Sequence, residues 1–279
     1  MKRILFAHKK DWIEPVAERL DRSRFDATFC NFRDPALQFS QFDCIVPLRL
    51  SDYAPLRAYP GSAACLIPDP VAVAVADDKP RFIAFLRDAG FGEFAPTLYD
   101  GAVRYPFIYK KRVDLAGKNA RIVFSPEERA AFEAGMVAAD YFRQEYVGGR
   151  TEYTSHFLAV DGRPTFDTTL EFTFDRDHFV RGLRCEAASS RKVDTPFADL
   201  FGAILKALNY TGTGCFNYKI EDGRPKIFEL NPRAGGSLRL DLNAYIDAYL
   251  AALAEYRTPL YRRARTLARS VARRLRSLQ

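Results

Sequence analysis

Apolar and polar positions follow two different rhythms along the chain. Near the N-terminus, RILFA (3–7), DATFCNF (26–32) and CIVPL (44–48) are short apolar runs of strand length. Between the first two, WIEPVAERL (12–20) spaces its apolar residues at helical intervals, a short helix is expected from Tyr53 to Arg57, and AACLIP (63–68) adds an apolar run. Strands alternating with helices predict a small parallel α/β unit. From Asp77 the rhythm changes. DDKPRFIAFLRDAGF opens on acids, carries Pro80 in its first turn, puts Phe82, Phe85 and Leu86 on one face and stops at Gly90, which predicts a capped helix. Strand patterns then dominate: YPFIYKKRV (105–113), ARIVF (120–124), YFRQEYV (141–147), TEYTSHFLAV (151–160), PTFDTTLEFTF (164–174), GCFNYKI (214–220) and KIFELN (226–231). DGR (161–163) and EDGRP (221–225) read as hairpin turns. Ser125 is placed to cap a helix starting at Pro126, and another helix is expected over 196–208. The expectation is therefore an α/β start followed by an antiparallel sheet with a few helices.

One hairpin concentrates chemistry. In IFELNPRAGGSLRL (227–240) an apolar strand carries Glu229 and Asn231, then breaks into Arg233 and a small-residue turn, Ala234 to Ser237. Glu229 and Asn231 are two apart on a strand, so they share a face. Asn217 lies on the partner strand, roughly opposite Glu229. Three oxygen-bearing side chains on one face suit a hard cation such as Mg²⁺, which takes oxygen ligands and completes its shell with water and phosphates. Arg233 adds a fork of donors for a phosphate or carboxylate, and the glycine turn lets backbone N–H groups approach an anion. The plain alternative is a solvent-facing hairpin followed by a loop.

Composition narrows the setting. The chain has 279 residues, 48% of them hydrophobic, enough for one large domain or two to three small ones. Five cysteines are scattered without a C-x-x-C pair, which reads as reduced thiols, and the N-terminal apolar run is too short for a signal peptide or a span. A cytoplasmic location is expected. No G-x-x-x-x-G-K-[ST], H-E-x-x-H or G-x-S-x-G occurs, and His8, His156 and His178 are too dispersed for a histidine metal cage. His156 reads as a satisfied structural histidine. The net charge of +7 sits largely in YRRARTLARSVARRLRSLQ, where Leu260, Ala264, Leu267, Val271, Leu275 and Leu278 recur at helical steps among arginines. A basic amphipathic helix is expected over 256–279, docked on its own domain or facing an acidic partner, a carrier or a membrane surface. Nucleic acid is not the expected partner, since the basic character is local.

With these residues in view, the sequence resembles the ATP-grasp superfamily, which includes biotin carboxylase, carbamoyl-phosphate synthetase and D-alanine–D-alanine ligase. FELNPRAGGS resembles its E-x-N-x-R metal strand. Asp78-Lys79 resembles the start of the ATP-grasp region, and Pro106 to Lys110 its P-x-x-x-K strand, whose lysine contacts phosphate. Ala116 to Arg121 stands where the family has its glycine-rich lid, and QEYVGGRTEYT (144–154) is similar to its hinge. The resemblance covers roughly residues 77 to 245. It implies an α/β and α+β architecture: two α+β subdomains clamping ATP (77–255), an accessory α/β domain before them (1–76) and the basic helix after them (256–279). It implies that Lys79, Lys110 and Lys118 meet the phosphates, that Glu145, Tyr146 and Val147 hold the adenine edge, and that Glu152 holds the ribose. Asn217, Glu229 and Asn231 would hold Mg²⁺, with Mn²⁺ as a substitute, and Arg233 with Lys110 would act in catalysis. The reaction implied is activation of a carboxylate as an acyl phosphate and its transfer to an amine or thiol, in small-molecule or peptide biosynthesis. A turnover-free ATP-binding sensor or scaffold is the alternative. The chain departs from the family in three places: Lys111 replaces a proline, the lid has a single glycine, and Asn217 stands where many members have an acid. Arg184, Arg191 and Lys192 follow the central strands and read as anion ligands or as solvated charge.

Overall fold

The structure, a computed structural model, describes residues 1–59, 64–114, 117–182 and 185–257. Three strands open the chain: β1 (Lys2–Ala7), β2 (Phe25–Cys30) and β3 (Cys44–Val46), with helix α1 (Lys10–Arg19) after β1. They pair in parallel, in the order β2-β1-β3. β3 is wholly buried and β1 is buried from Ile4 onward, as expected of parallel strands covered on both faces. The short helix α2 (Tyr53–Ala58) follows. Two helices come next, α3 (Pro70–Asp77) and α4 (Lys79–Asp88), and each carries an aspartate cap: Asp69 accepts from the Val71 N–H and Asp78 from the Arg81 N–H. The pattern predicts α4 but not α3, whose PVAVAVAD run has no polar face to mark a helical period.

A small antiparallel sheet, in the order β5-β4-β6, is formed by β4 (Phe107–Lys111), β5 (Arg121–Val123) and β6 (Tyr141–Glu145). Helix α5 (Pro126–Glu133), capped by Ser125, packs Phe132 on Tyr109 and Tyr141 of this sheet. The larger antiparallel sheet contains β7 (Thr151–Val160), β8 (Arg163–Thr173), β9 (Ser189–Val193), β10 (Gly212–Glu221) and β11 (Arg224–Asn231), in the order β11-β10-β7-β8-β9. Helix α6 (Ala198–Ala207) lies between β9 and β10 and packs Phe201 on Phe216. The chain then makes a 3-10 segment, Gly236–Asp241, and helix α7 (Leu242–Tyr256).

α7 joins the first sheet to the rest. Its Tyr245, Ile246, Tyr249 and Leu253 share one core with Ile4, Phe6, Ile45 and Val46 of the first sheet and with Leu158 and Val160 of β7. The Tyr249 hydroxyl accepts from the Leu66 N–H at 2.7 Å, which fixes the described part of the 63–68 run against the helix. A second core lies under α4 and α6, against the large sheet. All five cysteines are free, and among the described residues no helix is long and apolar enough to cross a membrane. The expected basic helix lies outside the described residues apart from Tyr256 and Arg257, which end and follow α7.

Candidate active site

The β10–β11 hairpin sets the geometry. Asp222 and Gly223 both take positive φ (50° and 75°), as a two-residue hairpin turn requires. From this turn the ladder is regular up to Tyr218↔Ile227, then slips by one residue so that Asn217 pairs with Glu229 and Cys215 with Asn231. The slip is a bulge that accommodates Phe228. It decides which side chains reach the cavity. Ile227 and Leu230 lie in the core, while Phe228, Glu229 and Asn231 line a cavity of about 1320 Å³. The Asn217 amide donates to Glu229 Oε2 at 2.8 Å and accepts from the Thr154 hydroxyl of β7 at 2.9 Å.

Two lysines from different elements meet this carboxylate. Lys79, the first residue of α4, is nearly buried and its Nζ lies 3.2 Å from Glu229 Oε1. Lys110, on β4, shares strand parity with cavity-lining Ile108, and its Nζ sits 4.6 Å from the Phe228 ring centroid. Burial alone would raise the pKa of Glu229, but Lys79, the Asn217 amide and Lys110 outweigh it and hold the group at about 2. Burial pulls Lys110 down to about 8, against the raising effect of Glu229. Lys111 takes the rim and pairs with Asp140 at 3.2 Å.

At the other end of the cavity β6 runs into the hinge. The Glu145 N–H donates to the Thr97 carbonyl, and the Glu145 carboxylate accepts from the Thr97 N–H at 2.8 Å. Its side chain is thus bonded to the scaffold at Thr97. Tyr146 is likewise a brace: its hydroxyl accepts from the Phe179 N–H at 2.9 Å and its ring stacks on His178. Tyr146 and Val147 lie beyond the ladder, which ends at Phe107↔Glu145, so their backbone groups are not paired in it. Glu152 is buried and paired with Arg181 Nη1 at 3.1 Å, and burial raises its pKa. Arg181 also donates to the Thr154 hydroxyl at 2.8 Å and stacks 3.9 Å from the Phe172 ring centroid. Lys118 stands apart from these residues. It is exposed and absent from the cavity wall, and the lid turn reaches the wall through Gly117 and Ala120 instead. Gly117 (φ +61°) lies so close to the 180–181 segment that a Cβ would stand 2.7 Å from Val180 Cγ1.

Just past β11, Arg233 donates to the Ala234 carbonyl at 3.1 Å and to Asn231 Oδ1 at 3.2 Å. Neither acceptor is charged. Gly235 lies on His156 and Cys215; a Cβ there would stand 2.6 Å from His156 Cε1. His156 is fully buried and bonds Ser237 Oγ through Nε2 at 2.8 Å, but its Nδ1 has no partner, so it is only half satisfied. Burial, with Arg181 and Arg233 adding to it, lowers its pKa to about 3. Asp77, at the end of α3, lines the same region, and burial raises its pKa. Lys9, Asp11 and Arg49 complete the wall from the first sheet.

The structure thus brings Lys79, Lys110, Glu145, Tyr146, Val147, Glu152, Asn217, Glu229, Asn231 and Arg233 into one cavity wall. Arg191 and Lys192 stand outside it, paired with Glu171 and Asp241, and Arg184 lies outside the described residues. Arg181, Lys9 and Arg49 enter the wall without belonging to any motif, and Asp77 and the buried Gln144 enter it from quoted stretches that gave them no site role. Only the parity of His156 with Glu152 and Thr154 along β7 marks its position in the sequence. Among the described residues no three His, Cys, Asp or Glu side chains group as a metal site. The candidate metal set rests on one carboxylate and two amides.

No protein-family model and no curated protein matches the chain. Solved structures do. The chain is similar to D-alanine–D-alanine ligase from Bacillus anthracis, with a TM-score of 0.61 at 14% identity over 91% of this chain and 96% of that one. It is similar to phosphoribosylamine–glycine ligase from Thermotoga maritima, with a TM-score of 0.63 at 15% identity over 88% and 75% of the two chains. It is also similar to D-cycloserine synthetase, with a TM-score of 0.58 at 17% identity over 90% and 98%. The chain shares the fold of these structures, a mixed α/β architecture of ATP-grasp-like form.

Proposed function

We propose that the protein is an ATP- and Mg²⁺-dependent ligase that activates a carboxylate as an acyl phosphate and joins it to an amine, or to a thiol, in small-molecule or peptide biosynthesis. The observation that carries this reading is one constellation: Glu229 held ionised by Lys79 and Asn217, with Lys110 beside it and Arg233 beyond it, in one cavity. Positive groups on two subdomains and a fixed anion between them suit phosphoryl transfer, where catalysis is mostly positioning and charge stabilisation. Glu229 is an ionised carboxylate, and the amide oxygens of Asn217 and Asn231, which here accept from Thr154 and Arg233, would have to turn to an ion to complete a set that suits a hard divalent cation taking its other ligands from phosphate and water. Mg²⁺ held there would neutralise phosphate charge; Mn²⁺ has the same ligand preference. Lys79 and Lys110 would hold the phosphate oxygens. Arg233, whose donors rest on neutral acceptors, would take the substrate carboxylate and the charge that develops on it.

The second reading, an ATP-binding sensor or scaffold, is favoured by one observation. Glu152, the residue the resemblance gives to the ribose, is occupied by Arg181. Calorimetric titration of ATP with and without Mg²⁺, on wild type and on Glu229→Ala, tests the site. The ligase reading expects Mg²⁺-dependent binding that Glu229→Ala weakens at least tenfold, followed by ADP release that requires both an added carboxylate and an added amine. Absence of ATP binding to the wild type would overturn both readings. Binding with no ADP release from any carboxylate–amine pair would leave the sensor.

A further inference from the structure

The cavity continues past Arg233 to the carboxyl ends of the first sheet, and its charge there is unbalanced. Lys9, Arg49, Arg233 and Arg239 line this end, against Asp11 and Asp77. Asp11 is already engaged: Lys9 Nζ lies 3.3 Å from its carboxylate, and Arg239 donates to its backbone carbonyl at 2.7 Å. Among the described residues neither guanidinium, of Arg49 or of Arg233, forms an ion pair, although the Asp52 carboxylate accepts from the Arg49 N–H at 2.7 Å and Asp77 interacts with Arg233. The Lys9 side chain is only 20% exposed, yet it sits close enough to Arg233 and Arg49 for both to disfavour its charge, after burial itself. Four cations thus share this end with two carboxylates, Asp11 paired with Lys9 and Asp77 interacting with Arg233. Such crowding costs free energy in the empty protein and is relieved when an anion arrives.

Three further features converge on the same place. The first residues after β1 and β3, Lys9 and Leu48 to Leu50, lie at the carboxyl ends of parallel strands, where open α/β sheets present ligands. Helix α1 starts there at Lys10 with no side-chain cap on its first N–H groups. Arg49 also borders a second, smaller cavity of about 470 Å³ lined by His8, Asn31, Arg33 and Ser51, so the subsite has room beyond the main chamber.

We propose that Lys9, Arg49 and Arg233 form an anion subsite, and that the substrate taken at this end carries a second anionic group, carboxylate or phosphate, besides the reacting one. The inference rests on the ligase reading only for which carboxylate reacts; the subsite itself is defined by the cations. Arg233 bridges the two ends, with its fork shared between the reacting carboxylate and the second anion. Lys9 and Arg49 hold the second anion from the first sheet, and the start of α1 adds backbone donors. With Lys9 paired to Asp11, a monoanionic substrate would still leave one of the two guanidiniums, Arg49 or Arg233, without a counter-charge.

The test is direct binding to the full chain without nucleotide, by calorimetry, with paired probes: O-phospho-L-serine against L-serine, L-glutamate against L-glutamine, and succinate against butyrate. The expected result is at least a tenfold preference for the dianion in one or more pairs, lost in both Lys9→Met and Arg49→Ala. A preference for O-phospho-L-serine over L-glutamate would identify phosphate as the second group, and the reverse a carboxylate. No preference in any pair, or a preference unchanged in both variants, would overturn the proposal. ADP release, measured in parallel, separates the two claims. A dianion preference without ADP release keeps the subsite and removes the ligase. ADP release without a dianion preference does the opposite.

Discussion

Burial lowers the pKa of both Lys110 and His156, yet at neutral pH the lysine keeps its proton and the histidine does not. Lys110 has a pKa of about 8, so at neutral pH it stays protonated at a cost to folding. The sign follows from the lowered value: the cost is absent above the free lysine pKa and fully present once the pH has fallen through about 8. Lys110→Met is therefore expected to stabilise the fold by about 1–3 kcal/mol at pH 7 while weakening ATP binding at least tenfold, the trade expected of a functional residue held against its own solvation. Urea unfolding alongside calorimetry checks both halves. His156, at about 3, is neutral across the physiological range. Its contribution to stability is complete above the free histidine pKa and is lost as pH falls below it, because only the unfolded chain then takes the proton. Between pH 7 and pH 5 this amounts to about 2 kcal/mol. Urea unfolding at the two pH values should show that loss in wild type and a reduced loss in His156→Gln.

The hairpin shows what an element adds to its residues. Counting along the sequence puts Glu229 and Asn231 on one face and sets Asn217 roughly across from them, and the structure agrees. The reason is less simple than alternation. A regular ladder from the Asp222-Gly223 turn would pair Asn217 with Phe228 and turn Glu229 into the core; the bulge restores it to the cavity. The bulge carries no sequence signal beyond two bulky apolar residues in succession, Ile227 and Phe228, so the site was legible as a set of residues but not as a register. Deleting Phe228 leaves a regular ladder that still pairs Asn217 with Glu229, and a single cooperative thermal transition should survive. Deleting Leu230 would place Asn231 opposite Phe216, on the core side, with an expected loss of 3 kcal/mol or more. Thermal melts of the two deletion variants decide this. Other parts of the site were illegible for a related reason. Arg181 reaches Glu152 from a loop between β8 and β9, and nothing local to either residue encodes that meeting.

At the scale of the molecule, the sequence announces every strand except β9 and every helix except α3 and α7, while the partnership between its two ends is hidden. Leu242, Tyr245, Ile246, Tyr249 and Leu253 repeat at helical steps, so α7 has a readable period. Its destination, the core of the first sheet, lies some two hundred residues away, and no periodicity records it. We propose residues 1–76 and 77–255 as topological units, but their core is held in common. A fragment of residues 1–76 alone would leave Ile4, Phe6, Ile45 and Val46 without their cover. It is expected to give no cooperative unfolding transition, as measured by circular dichroism. Cooperative unfolding of that fragment would show that the first sheet is self-sufficient.

The shared core also sets an order of events during synthesis. The first strands to leave the ribosome are among the last to be covered, because the helix that seals them is made near the end of the described chain. At about 5–20 residues per second, β3 precedes α7 by on the order of 10–40 s. For that interval the nascent chain presents an apolar parallel sheet with no lid. Retarding translation between β3 and α7 should lengthen the exposure and increase aggregation, even though every residue of the finished protein is unchanged.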